Sequence, residues 1–461
     1  MKLHFIGIGG IGVSALARYY LAQGHEVSGS DLASSEITKA LEKLGAKVFI
    51  GKHKAENLPK DVDLVIYSPA VTEDNPELKK AKKLKIKCQS YPQALGELTK
   101  DHFTIAVCGS HGKSTVAGMI GLILTKAGLN PTVILGTKLR EFGDSNFRMG
   151  GPVKIGQRTT SSEQFSEQRT TNIEQFLVIE ADEYKESFLN YWPKIIVLLN
   201  IEYDHPDYFK NLRHYILVFK KFVSHLPKDG ILIANKDDKN IELLNSKFKI
   251  QKSKVKFKIQ NYSLKQKETK KLKKILKIPG EFNVSNALAA LKVARVLKIP
   301  DKISFKVLSQ FKGTWRRFDE RSLKIKNLKL KIINDYGHHP TQVKVTLKAA
   351  REKYKNKKIW CIFQPHQYQR TYYLFDDFVK VFKNHPIDKV IITDIYTVSG
   401  RESKEIMKKV NAQKLVEAIN KENVIYLPKE KIINYLKKNL RGGEVVIIMG
   451  AGDIYNLTLK F

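Results

Sequence analysis

Residues 108–115 read Cys-Gly-Ser-His-Gly-Lys-Ser-Thr, directly after the apolar run 103–107 and ahead of a helix-like stretch at 115–127. No other feature restricts the fold as much, because a strand must hand a glycine turn to the start of a helix. The first N–H groups of such a helix have no intrahelical acceptor and can cradle phosphate oxygens. Gly109, Ser110, His111, Gly112 and Thr115 supply the cradle, Lys113 reaches terminal phosphates, and Ser114 is placed to ligate magnesium. The motif is shorter than Gly-x-x-x-x-Gly-Lys-Ser/Thr, since Val107 occupies the position of the first glycine. A turn that merely joins a core strand to a core helix is the bland alternative; the strand–loop–helix context favours a nucleoside triphosphate, with Mg2+ as its companion.

At 461 residues the chain has room for roughly three domains, each with its own core. Cys88, Cys108 and Cys361 are widely separated and form no metal-binding spacing, which suits a reducing compartment. The first residues lack the basic region and long apolar core of a signal peptide, and no apolar run approaches a membrane span. A cytoplasmic protein without membrane insertion is expected. The formal charge of +35 invites a nucleic-acid reading. The lysines are spread along the chain without aromatic platforms, however, and the basic run 265–277 alternates with leucine and isoleucine like a solvated amphipathic surface. No nucleic-acid partner is expected.

Short apolar runs alternate with helical patterns: strands near 3–8, 26–30, 47–50 and 64–67, helices near 13–23 and 37–44. Such alternation argues for parallel sheets with crossover helices. Residues 90–102 read as a connection. A second block has strands near 176–180, 195–201 and 230–234, with helices at 212–226 and 286–296; a third has strands near 331–335, 359–363, 389–393 and 444–449, with helices at 341–354 and 372–382. Residues 157–165 recur eleven positions later at 168–176, a polar tandem duplication expected to form an exposed mobile loop.

Gly7, Gly9, Gly10 and Gly12 follow the first strand, and Asp31 ends the next, nineteen residues past Gly12. This is a diphosphate fingerprint that suits NAD or a nucleotide sugar, since the turn reads phosphates and not the group beyond them. Glycines that simply pack helix on strand are the alternative. Glu180-Ala181-Asp182-Glu183 and Asn200-Ile201-Glu202-Tyr203-Asp204-His205 end two apolar runs, and strand ends of an open parallel sheet are where ligands gather. Ser114 and Glu180 make sensible magnesium ligands, and His205 could serve a second ion or orient a reactant. Glu183, Glu202 and Asp204 read equally well as solvated loop residues. His338 and His339 are adjacent, without the i, i+4 spacing or cysteine partners of a zinc site, so substrate contacts are preferred to zinc.

Taken in order along nearly the whole chain, the segments 4–12, 29–31, 109–115, 180–183, 200–205, 335–340 and 363–366 resemble the Mur ligase family. The resemblance implies an α/β, three-domain architecture: a UDP-sugar-binding Rossmann-like domain at 1–100, a central phosphate-loop ATPase domain at 101–312, and a C-terminal Rossmann-like domain at 313–461. It implies that ATP phosphorylates the lactyl carboxylate of UDP-N-acetylmuramate and that the amine of L-alanine attacks the acyl phosphate, in peptidoglycan precursor synthesis. By position it makes Lys113, Ser114, Glu180 and His205 phosphate and metal residues, and Arg316 or Arg317 a cation for the phosphates. Asn283 and Asn286 become adenine contacts, Asp335 a ribose neighbour, His338 and His339 acceptor or muramyl contacts, and Ser68 a neighbour of the UDP-sugar diphosphate. Three positions depart from the family pattern: Phe282 for histidine, Pro69 within Ser-Ser-Ala, and Gln367 for arginine. A recycling ligase that joins the same nucleotide sugar to a tripeptide is the nearest rival within the family. A dehydrogenase would use the first glycine turn and leave Lys113, Glu180 and His205 idle; a nucleic-acid-stimulated ATPase is the third alternative.

Overall fold

The computed structural model describes residues 1–154, 173–250, 257–325, 328–398 and 401–460. The duplicated segment thus lies largely outside the described residues. The chain divides into two compact units, Met1–Ile201 with Ile216–Gln266 and Ala287–Leu308, and Glu202–Tyr215 with Lys267–Asn286 and Ser309–Phe461.

The first unit contains two main sheets. β1 (Lys2–Ile6), β2 (Glu26–Asp31), β3 (Lys47–Ile50), β4 (Leu64–Tyr67) and β5 (Lys87–Ser90) are all parallel, in the order β3-β2-β1-β4-β5. Parallel neighbours need crossovers, and helices Ile11–Ala22, Glu36–Lys43 and Pro76–Lys83 provide them. One face buries Leu3, Phe5 and Leu64 against Val13 and Leu16; the other buries Ile6 and Val65 against Leu78. The strand order reverses between β1 and β4, which makes their carboxyl ends the switch point where ligands bind in such sheets.

Residues 90–102, expected as a connection, instead carry a helix, Tyr91–Lys100. Pro92 lies in the first turn, where its missing N–H costs nothing, and Gln93 accepts from the Ser90 N–H at 2.8 Å. Gly96 is required by close packing, since a Cβ there would lie 2.3 Å from the Asn190 carbonyl oxygen.

β6 (Phe103–Cys108), β7 (Thr132–Leu139) and β8 (Ser145–Arg148) begin the second sheet, and β9 (Val153–Lys154) pairs with β10 (Ile173–Glu174) as a short antiparallel ribbon. β11 (Phe176–Glu180), β12 (Ile195–Leu198), β13 (Ile231–Asn235) and β14 (Lys258–Tyr262) complete the order β14-β13-β12-β6-β11-β7-β8, parallel except for β8. β6 is central and its Ile105, Ala106, Val107 and Cys108 are fully buried. Both neighbours, β11 and β12, run parallel to it, so Glu180, the phosphate loop and Asn200 emerge at one edge.

In the second unit β15 (Asp319–Ile325), β16 (Leu328–Asp335), β17 (Ile359–Phe363), β18 (Lys389–Ile392), β19 (Val424–Tyr426) and β20 (Val445–Met449) form a sheet ordered β15-β16-β20-β17-β18-β19. Only β15 is antiparallel, and Ile333, Phe363 and Ile447 pack on one face while Ile332, Ile362 and Val446 pack on the other. The helix expected at 372–382 is two helices, Tyr368–Tyr373 and Phe375–Lys383, joined at Leu374. The basic run holds helix Glu268–Ile275, which buries Leu272 and exposes lysines. No helix among the described residues is long and apolar enough to cross a membrane.

Candidate functional site

The phosphate loop closes β6 and opens helix Lys113–Lys126, with Gly112 at φ +89° as its cap. Gly109 stands at φ +136°, and a Cβ there would meet the Asn200 backbone nitrogen and oxygen at 3.0 Å, so the position admits only glycine. Asn200 braces the loop. Its carbonyl accepts from the Ser110 N–H at 3.2 Å, its Oδ1 accepts from the His111 N–H at 2.8 Å, and its Nδ2 donates to the His111 carbonyl at 3.0 Å. Ser110, Ser114 and Thr115 are buried.

Lys113 Nζ donates to the Gly109 carbonyl and to Glu183 Oε2, both at 2.8 Å, with Asp182 Oδ1 at 3.9 Å. Burial opposes the ammonium charge, but Glu183, Asp182 and Glu180 outweigh it and hold the Lys113 pKa above the ordinary lysine range. Ser114 Oγ donates to Glu180 Oε2 at 2.8 Å, and Glu180 Oε1 accepts from the Gly136 N–H at 2.5 Å. A hydroxyl and a carboxylate side by side at the helix start form an oxygen donor pair that fits a hard divalent cation completed by phosphate oxygens. Lys113, Ser114 and Glu180, singled out in the sequence, therefore converge. Glu183, which reads in the sequence as a possible loop residue, is fully buried against Lys113.

At the first sheet's switch point Gly7 has φ +78°, and a Cβ on it would approach Ser68 Cβ to 3.0 Å. The Gly7 and Ile8 N–H groups donate to the Ser30 carbonyl at 2.8 and 3.0 Å, and the Gly9 N–H donates to Asp31 Oδ2 at 2.8 Å. Gly10 caps helix Ile11–Ala22. Gly12 faces the Tyr91 ring, whose Cζ would lie 2.8 Å from an added Cβ. The turn's leading amides are thus held by β2, and those of the helix's first turn are the ones that lack intrahelical acceptors. Asn146 of β8 donates to the Ile11 carbonyl at 2.5 Å and to Ser14 Oγ at 3.0 Å, which joins this helix to the sheet that carries the phosphate loop.

The second unit holds the remaining candidates in three groups. Arg316, at φ +57° and buried, donates to the Gly450 and Gly452 carbonyls at 2.5 and 3.1 Å, and its guanidinium lies 4.9 Å from the Tyr336 ring centroid and 5.1 Å from that of Tyr455. Arg317 is only half-buried, with its guanidinium 4.9 Å from the Tyr336 centroid. Asp335 accepts from the Phe318 and Gly337 N–H groups at 2.9 and 2.7 Å; burial pushes its pKa up, against the pull of Arg317.

Asn283 and Asn286 are buried at the start of helix Glu281–Val296, with Asn283 Nδ2 donating to the Pro279 carbonyl at 2.7 Å and Asn286 Nδ2 reaching Asn283 Oδ1 at 3.3 Å. Phe282, where the family pattern has histidine, is partly buried and packs against the core of the second unit's sheet.

The third group centres on Asp204, 2% exposed, whose Oδ1 accepts from Arg370 Nε at 2.9 Å and from the His205 N–H at 2.7 Å. Arg370 also donates to Gln367 Oε1 at 2.8 Å. Burial disfavours the Asp204 charge, yet Arg370 holds its pKa well below the carboxylate range. His338 Nδ1 donates to the Tyr336 carbonyl at 3.0 Å, and burial together with Arg370 lowers the ring's pKa to about 3. It is a neutral imidazole at physiological pH. His339 caps helix Pro340–Lys353, its Nδ1 accepting from the Thr341 N–H at 3.3 Å while Nε2 donates to the Tyr203 carbonyl at 3.2 Å. Both of its nitrogens serve the unit's own backbone. His205 sits at φ +56° beside Asp204.

Asn200, Glu183, Asp204 and Arg370 are the residues whose part in these clusters goes beyond the sequence reading. Asn200 carried a usable signal, since it directly follows an apolar run, as the phosphate loop does. Arg370 carried a weaker one, in the polar stretch that follows the apolar run 359–363.

Fold and site together define a phosphate-loop α/β protein in which a lysine and a hydroxyl face carboxylates at the edge of a parallel sheet. Three family models match in series: "Mur ligase family, catalytic domain" at 2–103, "Mur ligase middle domain" at 107–294, and "Mur ligase, glutamate ligase domain" at 316–452. A UDP-N-acetylmuramate–L-alanine ligase of Acetivibrio thermocellus is 40% identical over 478 aligned positions, covering 100% of this chain and 95% of its own. The crystal structure of the UDP-N-acetylmuramate-alanine ligase of Thermotoga maritima superposes with a TM-score of 0.76 at 26% identity, covering 100% of this chain and 98% of its own. A murein peptide ligase of Psychrobacter arcticus shares the fold, with a TM-score of 0.70 at 22% identity, covering 100% of this chain and 98% of its own. The chain belongs to the Mur ligase family, a family of ATP-dependent ligases.

Proposed function

We propose that the chain joins L-alanine to the lactyl carboxylate of UDP-N-acetylmuramate, with ATP converted to ADP and phosphate through an acyl-phosphate intermediate. The observation that carries this reading is the 40% identity, end to end, with a relative of that activity. Physical chemistry supports the route, because a carboxylate is a poor electrophile until one of its oxygens becomes part of a leaving group.

In this reading the loop amides and Lys113 bind the ATP phosphates. Lys113 has three N–H donors, of which Gly109 and Glu183 engage two, so phosphate can be bound without losing either contact. Ser114 and Glu180 would hold magnesium, with His205 serving a second ion or a reactant. Magnesium, when bound, would offset charge on the transferring phosphoryl group. Asn283 and Asn286 bind adenine, and Asp335 lies near the ribose. Arg317 is the better candidate for the cation on the phosphates, since it is half-exposed whereas Arg316 is buried. Gly7, Gly9, Gly10, Gly12, Asp31 and Ser68 form the nucleotide-sugar end, and neutral His338 lies on the acceptor side. His339 acts there through the helix start that it caps. The domains divide at about residues 100 and 312, and the three free cysteines accord with a cytoplasmic setting.

Phosphate release tests the proposal. UDP-N-acetylmuramate, ATP, Mg2+ and L-alanine together should support turnover that stops when any one is left out. Turnover with a tripeptide but not with alanine would transfer the chain to the recycling activity; a rate that rises with DNA, or NADH oxidation, would overturn the ligase reading.

A further inference from the structure

We infer that Glu77 is a positioning residue for the nucleotide-sugar end of the site: its buried carboxylate fixes Ser30, whose carbonyl holds the glycine turn. The inference rests on the reading of residues 7–12 as the nucleotide-sugar turn. Glu77 lies in helix Pro76–Lys83 and is fully buried. Its Oε2 accepts from His4 Nε2 at 2.8 Å and from Ser30 Oγ at 2.7 Å; its Oε1 accepts from His53 Nδ1 at 2.9 Å and from Asn57 Nδ2 at 3.1 Å.

These four partners come from β1, from the end of β2, from the loop after β3 and from the short helix Ala55–Asn57. A buried carboxylate is costly unless its oxygens are fully satisfied, and well-packed apolar residues hold a core together at least as well. Gathering four donors from four segments around one acid therefore points to a need for fixed geometry at this spot. Glu77 remains ionised there: burial opposes the charge, but the four hydrogen bonds prevail and lower its pKa to about 2.

The geometry leads directly to the turn. Ser30 donates through Oγ to Glu77, while its carbonyl accepts the N–H groups of Gly7 and Ile8 at 2.8 and 3.0 Å. The next residue, Asp31, accepts from the Gly9 N–H. Three successive amides of the turn are thus set by the end of β2, and that end is anchored by Glu77. Moving it would re-aim the first turn of helix Ile11–Ala22, where diphosphate oxygens would bind.

The test uses the full chain and compares Glu77→Gln, Ser30→Ala, Ser28→Ala and Asp31→Ala. Ser28 touches His4 Nδ1 at 2.9 Å within the same network but has no bond to the turn. Glu77→Gln should raise KM for UDP-N-acetylmuramate by about tenfold and Ser30→Ala by about threefold, as expected for weakened polar anchoring. KM for ATP and kcat at saturation should stay near wild type, and Ser28→Ala should resemble wild type throughout. A merely structural role would lower activity at all substrates alike without changing KM, and that pattern overturns the inference. If Glu77→Gln does not accumulate in soluble form, Ser30→Ala decides alone. If Asp31→Ala raises this KM but neither Glu77→Gln nor Ser30→Ala does, the positioning role fails while the turn assignment stands; an unchanged KM in Asp31→Ala removes the turn assignment and the inference with it.

Discussion

Replacing Arg370 by methionine should destabilise the second unit by about 3–5 kcal/mol, because it leaves the Asp204 carboxylate buried without its cation. Arg370 and Asp204 are each 2% exposed, and Nε lies 2.9 Å from Oδ1. At that separation an effective dielectric of about 20 gives an attraction of roughly 6 kcal/mol, much of it offset by the dehydration of both ions. Arg370→Met removes the attraction and leaves half of the dehydration. The double variant Arg370→Met with Asp204→Asn removes both charges, so it should be more stable than Arg370→Met alone, with a coupling energy of about 2–3 kcal/mol. Urea unfolding followed by tryptophan fluorescence in a Trp192→Phe background would report this unit, since Trp315 and Trp360 are the tryptophans it contains. The pH dependence has a fixed sign. The Asp204 pKa is held well below its ordinary value, so the contribution of the pair is complete above about pH 4 and is lost as pH falls further. The gap between wild type and Arg370→Met should therefore narrow in acid. A coupling energy below about 0.5 kcal/mol, or a gap that widens in acid, would refute the reasoning.

Lys113→Ala should reduce kcat by about 10²–10³, as expected for loss of a charge aimed at the transferring phosphoryl, while calorimetric affinity for UDP-N-acetylmuramate stays within about twofold of wild type. Gly9→Ala would place a Cβ 2.8 Å from Asp31 Oδ2 and 3.1 Å from Thr38 Cγ2, so it should weaken nucleotide-sugar affinity by about 1–3 kcal/mol. The same substitution in an Asp31→Ala background should add less, which the same titration would reveal. Glu77, with a pKa of about 2 in the folded chain against 4.5 as its ordinary value, contributes stability that is present above pH 4.5 and lost as pH falls towards 2. That shift corresponds to about 3 kcal/mol, and the slope of stability against pH across this window should flatten in Glu77→Gln.

The sequence made legible whatever is carried by neighbouring residues. The phosphate loop is contiguous, its glycines are dictated by backbone geometry at Gly109 and Gly112, and its lysine and serine are fixed by their place in the first turn. The glycine turn after β1 was legible for the same reason, and the parallel sheets followed from apolar runs spaced by helical patterns. Two local misreadings have local causes. Pro92 and Gly96 look like helix breakers at 90–102, but one sits in a first turn and the other faces the Asn190 backbone. Helical periodicity runs through Leu374, where the chain nevertheless bends between two helices.

Pairing across long separations was not legible, and it determines how the site is set. Glu183 meets Lys113 from 70 positions away, Asn200 braces His111 from 89, Glu77 joins His4 from 73, and Arg370 reaches Asp204 from 166. An acidic residue at a strand end looks the same in a sequence whether it is solvated or buried against a cation; the difference is the identity of the neighbouring strand, which the strand order decides. Once β11 and β12 flank β6, Glu183 and Asn200 have to meet the loop, and once β1 and β4 form a switch point, Ser68 has to face Gly7. The residues proposed to grip phosphate are therefore recoverable from local motifs. The residues that orient them become visible only with the order of the sheet, and the Glu77 and Arg370 substitutions probe that orienting layer.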